Sequence, residues 1–247
     1  MPTFAAVIVG DEILSGRRQD KHLAWLAGEL AERGFSLCWA RYIGDDPAAQ
    51  TALYRETLAG EAIVFSFGGI GATPDDHTRA AAAAAADAPL IQHPEATALI
   101  EARFGEAARP QRIRMAQLPE GCTLIPNPIN QIAGFSVGNH HFLPGFPDMA
   151  WPMARWVLDR LPAAGPRPTR LGVLVPEARE GDLIDLMETL TRQYPAVHFS
   201  CLPSYGNARL TGPHIEFCLT GAAEPTAAAM ALLREGLSQR GYRLQEP

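Results

Sequence analysis

The 247-residue chain has 47% hydrophobic and 19% charged residues, which is globular composition and excludes a disordered chain. A net charge of −6, with no basic run longer than Arg17-Arg18, argues against nucleic acid as a partner, because a polyanion needs a clustered basic face. No stretch of about 18 apolar residues is present, so no membrane partner is expected. Cys38, Cys122, Cys201 and Cys218 lack CxxC or zinc-ligand spacing and read as reduced thiols. Met1-Pro2-Thr3 leads straight into an apolar run without a signal-peptide pattern, so the expected location is cytoplasmic.

Phe4 to Val9 is wholly apolar and ends at Gly10, which suits a strand buried on both faces of a parallel sheet. Residues 20–33 place Leu23, Leu26, Ala27 and Leu30 at helical spacing, with Gly34 as the C-cap candidate. Phe35 to Ile43 reads as a strand, 47–59 as a helix, and Ala62 to Phe67 as another buried strand. The seven alanines from Ala80 to Ala86 favour a helix that can lie close to a sheet. Strand and helix alternating at this spacing predict βαβ units and a mostly parallel sheet with right-handed crossovers. Short strands follow at 123–125, 134–137 and 140–143, then a Met- and Trp-rich helix at 147–160.

Residues 162–170 are rich in proline and read as a linker between an α/β domain (1–161) and a small α+β domain (171–247). The second domain is expected to be βαββα: strand 171–175, helix 181–193, strands 197–203 and 214–219, helix 225–240. Its Gly181-Asp182 start and Ser204-Tyr205-Gly206-Asn207 turn look structural.

Chemistry concentrates where strands end. Gly68-Gly69-Ile70-Gly71 follows a parallel strand and precedes a helix. It therefore offers backbone N–H groups to an anion at the sheet's carboxyl edge. It is neither a Walker loop nor GxGxxG. Thr73-Pro74-Asp75-Asp76 has two readings: an N-cap with acids in the first turn, or carboxylates for a cation or for a ligand's hydrogen-bonding edge. Asp11-Glu12 and Asp45-Asp46 stand at two other strand ends, where they join the same cleft or only make loops and caps. Asn127, Gly134 and Pro144-Gly145 lie in turn-dense segments that can close over a ligand, and Arg112 and Arg114 are candidates to balance phosphate.

Gly10-Asp11-Glu12-Ile13-Leu14-Ser15-Gly16, the segment Gly68 to Thr78, and Leu143-Pro144-Gly145-Phe146-Pro147 together resemble the molybdopterin-binding (MoaB/Mog-like) domain family. The nearest likeness is to the N-terminal part of competence/damage-inducible protein A, the CinA-like branch in its standalone form. The resemblance spans about residues 4–160 in motif order. It implies a three-layer α/β/α domain and homo-oligomeric assembly. It also implies acidic site residues at Asp45 and Asp76 and a glycine loop that holds the ligand, with molybdopterin as one possible ligand. In the CinA-like branch it further implies metal-dependent hydrolysis of nucleotide pyrophosphates such as ADP-ribose. Two positions depart from the family pattern. His22 stands where Asn is frequent, and Ile70 replaces the threonine of the molybdopterin enzymes, which weakens an adenylyl-transfer reading.

The expected partner is thus a small nucleotide diphosphate or pterin phosphate. Gly68, Gly69, Gly71, Thr73, Asp75, Glu12, Asn127, Gly134, Pro144 and Gly145 are the expected binding residues. If a bond is broken, Asp76, Asp45 and Asp11 are the expected catalytic groups. Asp75, Asp76 and Asp11 would then hold a divalent metal such as Mg, Mn or Co. The rival readings are a non-catalytic molybdopterin carrier and a scaffold that keeps the fold without the chemistry.

Overall fold

The computed structural model describes residues 2–161, 168–206 and 211–246. The chain forms two units, Met1–Ala164 and Gly165–Pro247. In the first, the elements run β1 (Phe4–Val9), α1 (Asp11–Leu14), α2 (His22–Glu32), β2 (Leu37–Ile43), α3 (Pro47–Ala59), β3 (Ile63–Phe67) and α4 (Thr78–Ala85). They continue with β4 (Leu90–Gln92), α5 (Pro94–Phe104), β5 (Gln117–Pro119), β6 (Thr123–Ile125), β7 (Gly134–Val137), β8 (His140–Leu143) and α6 (Pro147–Leu158).

The main sheet has the order β2-β1-β3-β8-β7-β6. The strands from β2 to β8 are mutually parallel, and β7 runs against both β8 and β6. The period-2 geometry of β1 sends alternate side chains to opposite faces. Ala5, Val7 and Val9 join one core with Tyr54 of α3, Ala81 and Ala82 of α4 and Ile100 of α5. Phe4, Ala6 and Ile8 join the other with Leu26 and Leu30 of α2 and Met153 and Val157 of α6. Both faces of the sheet are therefore covered, giving the three layers α/β/α. The alanine run allows this on the α4 side, because Ala81, Ala82, Ala83 and Ala85 are buried where larger side chains would hold the helix off the sheet.

On the other face, the buried Glu29 of α2 is held by Arg33 and by Arg155 of α6, the latter at 2.8 Å. Trp25 stacks on Trp151 at 5.1 Å. β4, α5, β5 and the two 3-10 turns at Gly105–Ala108 and Arg112–Ala116 are additions to the expected elements.

The second unit contains β9 (Thr169–Pro176), α7 (Ile184–Gln193), β10 (His198–Gly206), β11 (Thr211–Gly221) and α8 (Ala223–Gln239). Its antiparallel sheet has the order β10-β11-β9, and α7 and α8 supply Leu186, Leu190, Leu233 and Leu237 to a core of its own. The βαββα order is the expected one. The strands are longer than read: Ser204, Tyr205 and Gly206 continue β10 rather than forming a turn, and Asn207 lies outside the described residues. Residues 162–167 of the expected linker also lie outside the described residues, and β9 already begins at Thr169.

Candidate functional site

The four parallel strands end almost level. Val9 pairs with Ile43, Ile8 with Phe67, and Phe67 with Leu143. The connection from β1 to β2 leaves to one side while β3 lies on the other, so the β1/β3 boundary is the point where strand order reverses. A crevice opens there in such sheets. Around it lies a cavity of about 660 Å³. Its walls come from the loops after β1, β2, β3 and β8, the start of α2 and the 127–132 turn.

The glycine loop is shaped by steric need. Gly68 has φ +114°, and a Cβ there would stand 2.5 Å from the Val9 carbonyl oxygen. Gly69 has φ +68°, and a Cβ there would collide with the Thr78 hydroxyl. Side-chain-bearing residues cannot take this path without strain. The loop is tied down from below. Thr78 donates its hydroxyl to the Gly68 carbonyl (3.1 Å) and its backbone N–H to the Gly69 carbonyl (3.1 Å). The Tyr54 hydroxyl lies 3.3 Å from that of Thr78, and the wholly buried Gln50 donates to the Gly44 carbonyl at 3.0 Å. Arg79, 7% exposed, donates to the carbonyls of Gly71 (2.6 Å), Gln117 (3.2 Å) and Arg114. Its burial lowers its pKa, opposed by Asp76 at longer range.

The carboxylates have distinct settings. Asp11 and Asp45 brace one another: Asp11 N–H donates to the Asp45 carboxylate (3.0 Å), and Asp45 N–H to that of Asp11 (3.2 Å). Asp46 caps α3 by accepting from Ala49 N–H at 2.7 Å. Burial pushes the Asp45 carboxyl above its ordinary range, and the nearby charges of Asp11, Glu12 and Asp75 push the same way. Asp76 accepts from the Thr73 N–H (2.8 Å) and from the Thr73 hydroxyl. The N-cap reading of Thr73 to Asp76 is corrected by this geometry, because α4 starts only at Thr78 and Pro74-Asp75-Asp76 form a turn ahead of it.

Glu12, Asp45, Gly68, Gly69, Gly71, Thr73, Asp75, Asp76, Asn127, Pro144 and Gly145 all line the cavity. Asp11 does not, since its carboxylate is turned to the Asp45 backbone. Gly134 lies inside β7, where a Cβ would meet the Phe142 carbonyl at 2.5 Å, so it serves packing. Arg112 and Arg114 are also absent from the walls. The 3-10 turn that carries them presents Met115 to the cavity instead, and Arg112 donates to the Ala107 carbonyl. Among the described residues, no group of three His, Cys, Asp or Glu side chains is placed to hold a metal ion. The expected set Asp11, Asp75 and Asp76 therefore makes no cage of its own.

Further residues complete the walls: Arg18 and Lys21 on the polar side and Met149 on the apolar side, which the sequence did not point to, together with Ile132 and Phe146, which lie in the turn-dense segments noted there. His22, noted only as a family departure, also lines the cavity and is 5% exposed. Its Nε2 lies 3.2 Å from the Gly145 carbonyl and its ring stacks on Phe67 at 4.4 Å. Since the carbonyl can only accept, Nε2 carries the proton. Desolvation lowers the His22 pKa, which keeps the ring neutral.

A three-layer α/β domain with a glycine loop and carboxylates at its topological switch point defines a class of small-ligand-binding proteins. Residues 5–163 match the family described as a probable molybdopterin binding domain, and the chain belongs to that family. A protein of Pyrobaculum calidifontis is 30% identical over 214 residues, covering 82% of this chain and 81% of that one. A CinA-like protein of Gemmatimonas aurantiaca is 30% identical over 250 residues, covering 96% of this chain and 58% of its own length. This chain thus spans just over half of that longer relative. Among solved structures, CinA of Thermoplasma acidophilum, a protein of unknown function, is 28% identical with a TM-score of 0.58. That match covers 64% of this chain and 97% of the other. No helix among the described residues is long and apolar enough to cross a membrane.

Proposed function

We propose that the first unit binds a small phosphate-bearing heterocyclic ligand, a nucleotide diphosphate or a pterin phosphate, with its phosphates at the Gly68–Gly71 loop. The observation that carries this reading is the glycine loop, on a path only glycine takes without strain, anchored by Thr78 and Arg79 and opening on a cavity of about 660 Å³. Side-chain-free backbone allows close approach of phosphate oxygens. Arg18 and Lys21 supply cations at the wall, while Phe146, Met149 and Ile132 supply apolar surface. Binding should appear in a thermal-shift screen of ADP, GDP and pterin phosphates, with and without Mg²⁺, Mn²⁺ or Co²⁺. At 100 times its Kd a ligand adds about 2.7 kcal/mol of stability. No shift with any of them would sink the reading.

A second reading adds turnover, and Asp45 favours it. A carboxyl held above its usual range beside a phosphate site is a candidate proton acceptor. Hydrolysis of a nucleotide pyrophosphate such as ADP-ribose would use it to take a proton from the attacking water. The described carboxylates make no metal cage of their own, so a divalent ion would be shared with the ligand's phosphates. Incubation with ADP-ribose and each divalent ion, followed by chromatography for AMP, tests this. Turnover that persists unchanged in both Asp45→Asn and Asp76→Ala would refute it, and binding without turnover would leave a carrier.

A further inference from the structure

The cavity holds one large apolar side chain that the fold does not cover. Phe146 lines it and yet is 57% exposed. Its backbone is fixed on both sides. The Phe146 carbonyl accepts the N–H groups of Met149 (3.0 Å) and Ala150 (2.8 Å) in the first turn of α6. The Gly145 carbonyl just before it is held by His22, itself stacked on Phe67. The ring thus stands on a rigid base, and the aromatic pairs found among the described residues do not include it. Pro144, Pro147 and Met149 extend the apolar surface beside it, and the glycine loop belongs to the same cavity.

We infer that Phe146 is the platform on which the ring of the ligand stacks, so the site selects a planar heteroaromatic group joined to its phosphates. This deepens the function proposed above and rests on it. An aromatic face held in place gains from stacking because its position is set before the ligand arrives. Stacking tolerates different bases, since each has a π face. Phe146 therefore accounts for preference of ring over no ring, and the polar walls account for choice among rings.

The test is calorimetric titration of the full chain with ADP, GDP and inorganic pyrophosphate, for wild type, Phe146→Ala and Phe146→Trp. Phe146 is exposed, so its truncation leaves the core intact. The wild type should bind ADP or GDP more tightly than pyrophosphate. Phe146→Ala should weaken that nucleotide by about tenfold or more, or about 1.4 kcal/mol, with pyrophosphate affinity unchanged within about twofold. Phe146→Trp should restore nucleotide binding, and its added indole fluorescence should fall with nucleotide but not with pyrophosphate. Equal weakening of all three probes by Phe146→Ala, or none, overturns the platform and leaves the phosphate site standing. A wild type that binds none of these probes, nor a pterin phosphate titrated beside them, overturns both.

Discussion

Two side chains beneath and beside the loop carry charge where charge is costly. Arg79 sits under the glycine loop with its hydrogen bonds directed to three carbonyls, so it works as a buried bracket between Gly71 and the 114–117 segment. Arg79→Met would leave those carbonyls unsatisfied, and about 2–4 kcal/mol of stability should be lost in urea titrations. Arg79→Lys should recover only part, because a single ammonium cannot reproduce the fork. Asp45 is the opposite case. Its raised pKa means that the fold resists its ionisation: its contribution is full below the unfolded pKa and is lost as pH rises through the folded one. Asp45→Asn should therefore slightly stabilise the ligand-free protein at pH 7, seen as a raised melting temperature, while reducing any turnover. Arg79 did not stand out from sequence, because a lone arginine beside an alanine run looks like an ordinary surface residue until the fold shows its neighbours; Phe146 was legible only as part of the Leu143 to Pro147 motif, with no role of its own.

At the level of elements, the strand ends were legible and the turns between them only in part. β1 and α3 match the sequence reading residue for residue, because an all-apolar run and an Asp46-Pro47 start are strong local signals. The segment from residue 88 to 122 went unread because β4 and β5 have three residues each and pair with one another across α5. Pro74 misled the reading of α4, since proline favours a helix's first position and a turn's second position alike. The glycine loop is the element where local chemistry and function meet most tightly. Gly68→Ala must push a methyl group against the Val9 carbonyl while holding a left-handed φ. It should cost at least about 2 kcal/mol, measured by denaturation, and abolish the thermal shift with phosphate ligands even where the protein still folds.

Across the whole molecule, two units, each packed on hydrophobic clusters of its own, predict two unfolding events. Calorimetry should resolve them, and a fragment of residues 1–164 should fold and retain the ligand response by itself. The two units should also differ in acid. The first contains His22, His140 and His141, all kept neutral by burial, with His141 lowered to about 4. The unfolded chain takes up protons near pH 6.5, so this stability is full above that value and lost as pH falls towards 4. His141 alone accounts for about 3 kcal/mol over that window, at about 1.4 kcal/mol per pH unit. The transition of the first unit should fall in temperature accordingly, with a shallower slope in His141→Asn.

The level ends of β1, β2, β3 and β8 have one more consequence. Because the sheet fixes the floor and the buried glycine loop is tied to it, variation is cheapest in the exposed parts of the rim, such as Glu12 to Gln19 and Phe146, which add little to either core. Scaffold and site are in that sense separable: His22 belongs to the frame, buried against Phe67 and the Gly145 carbonyl, while Phe146 stands free on it, so a change at 146 alters the cavity wall and leaves the frame as it is.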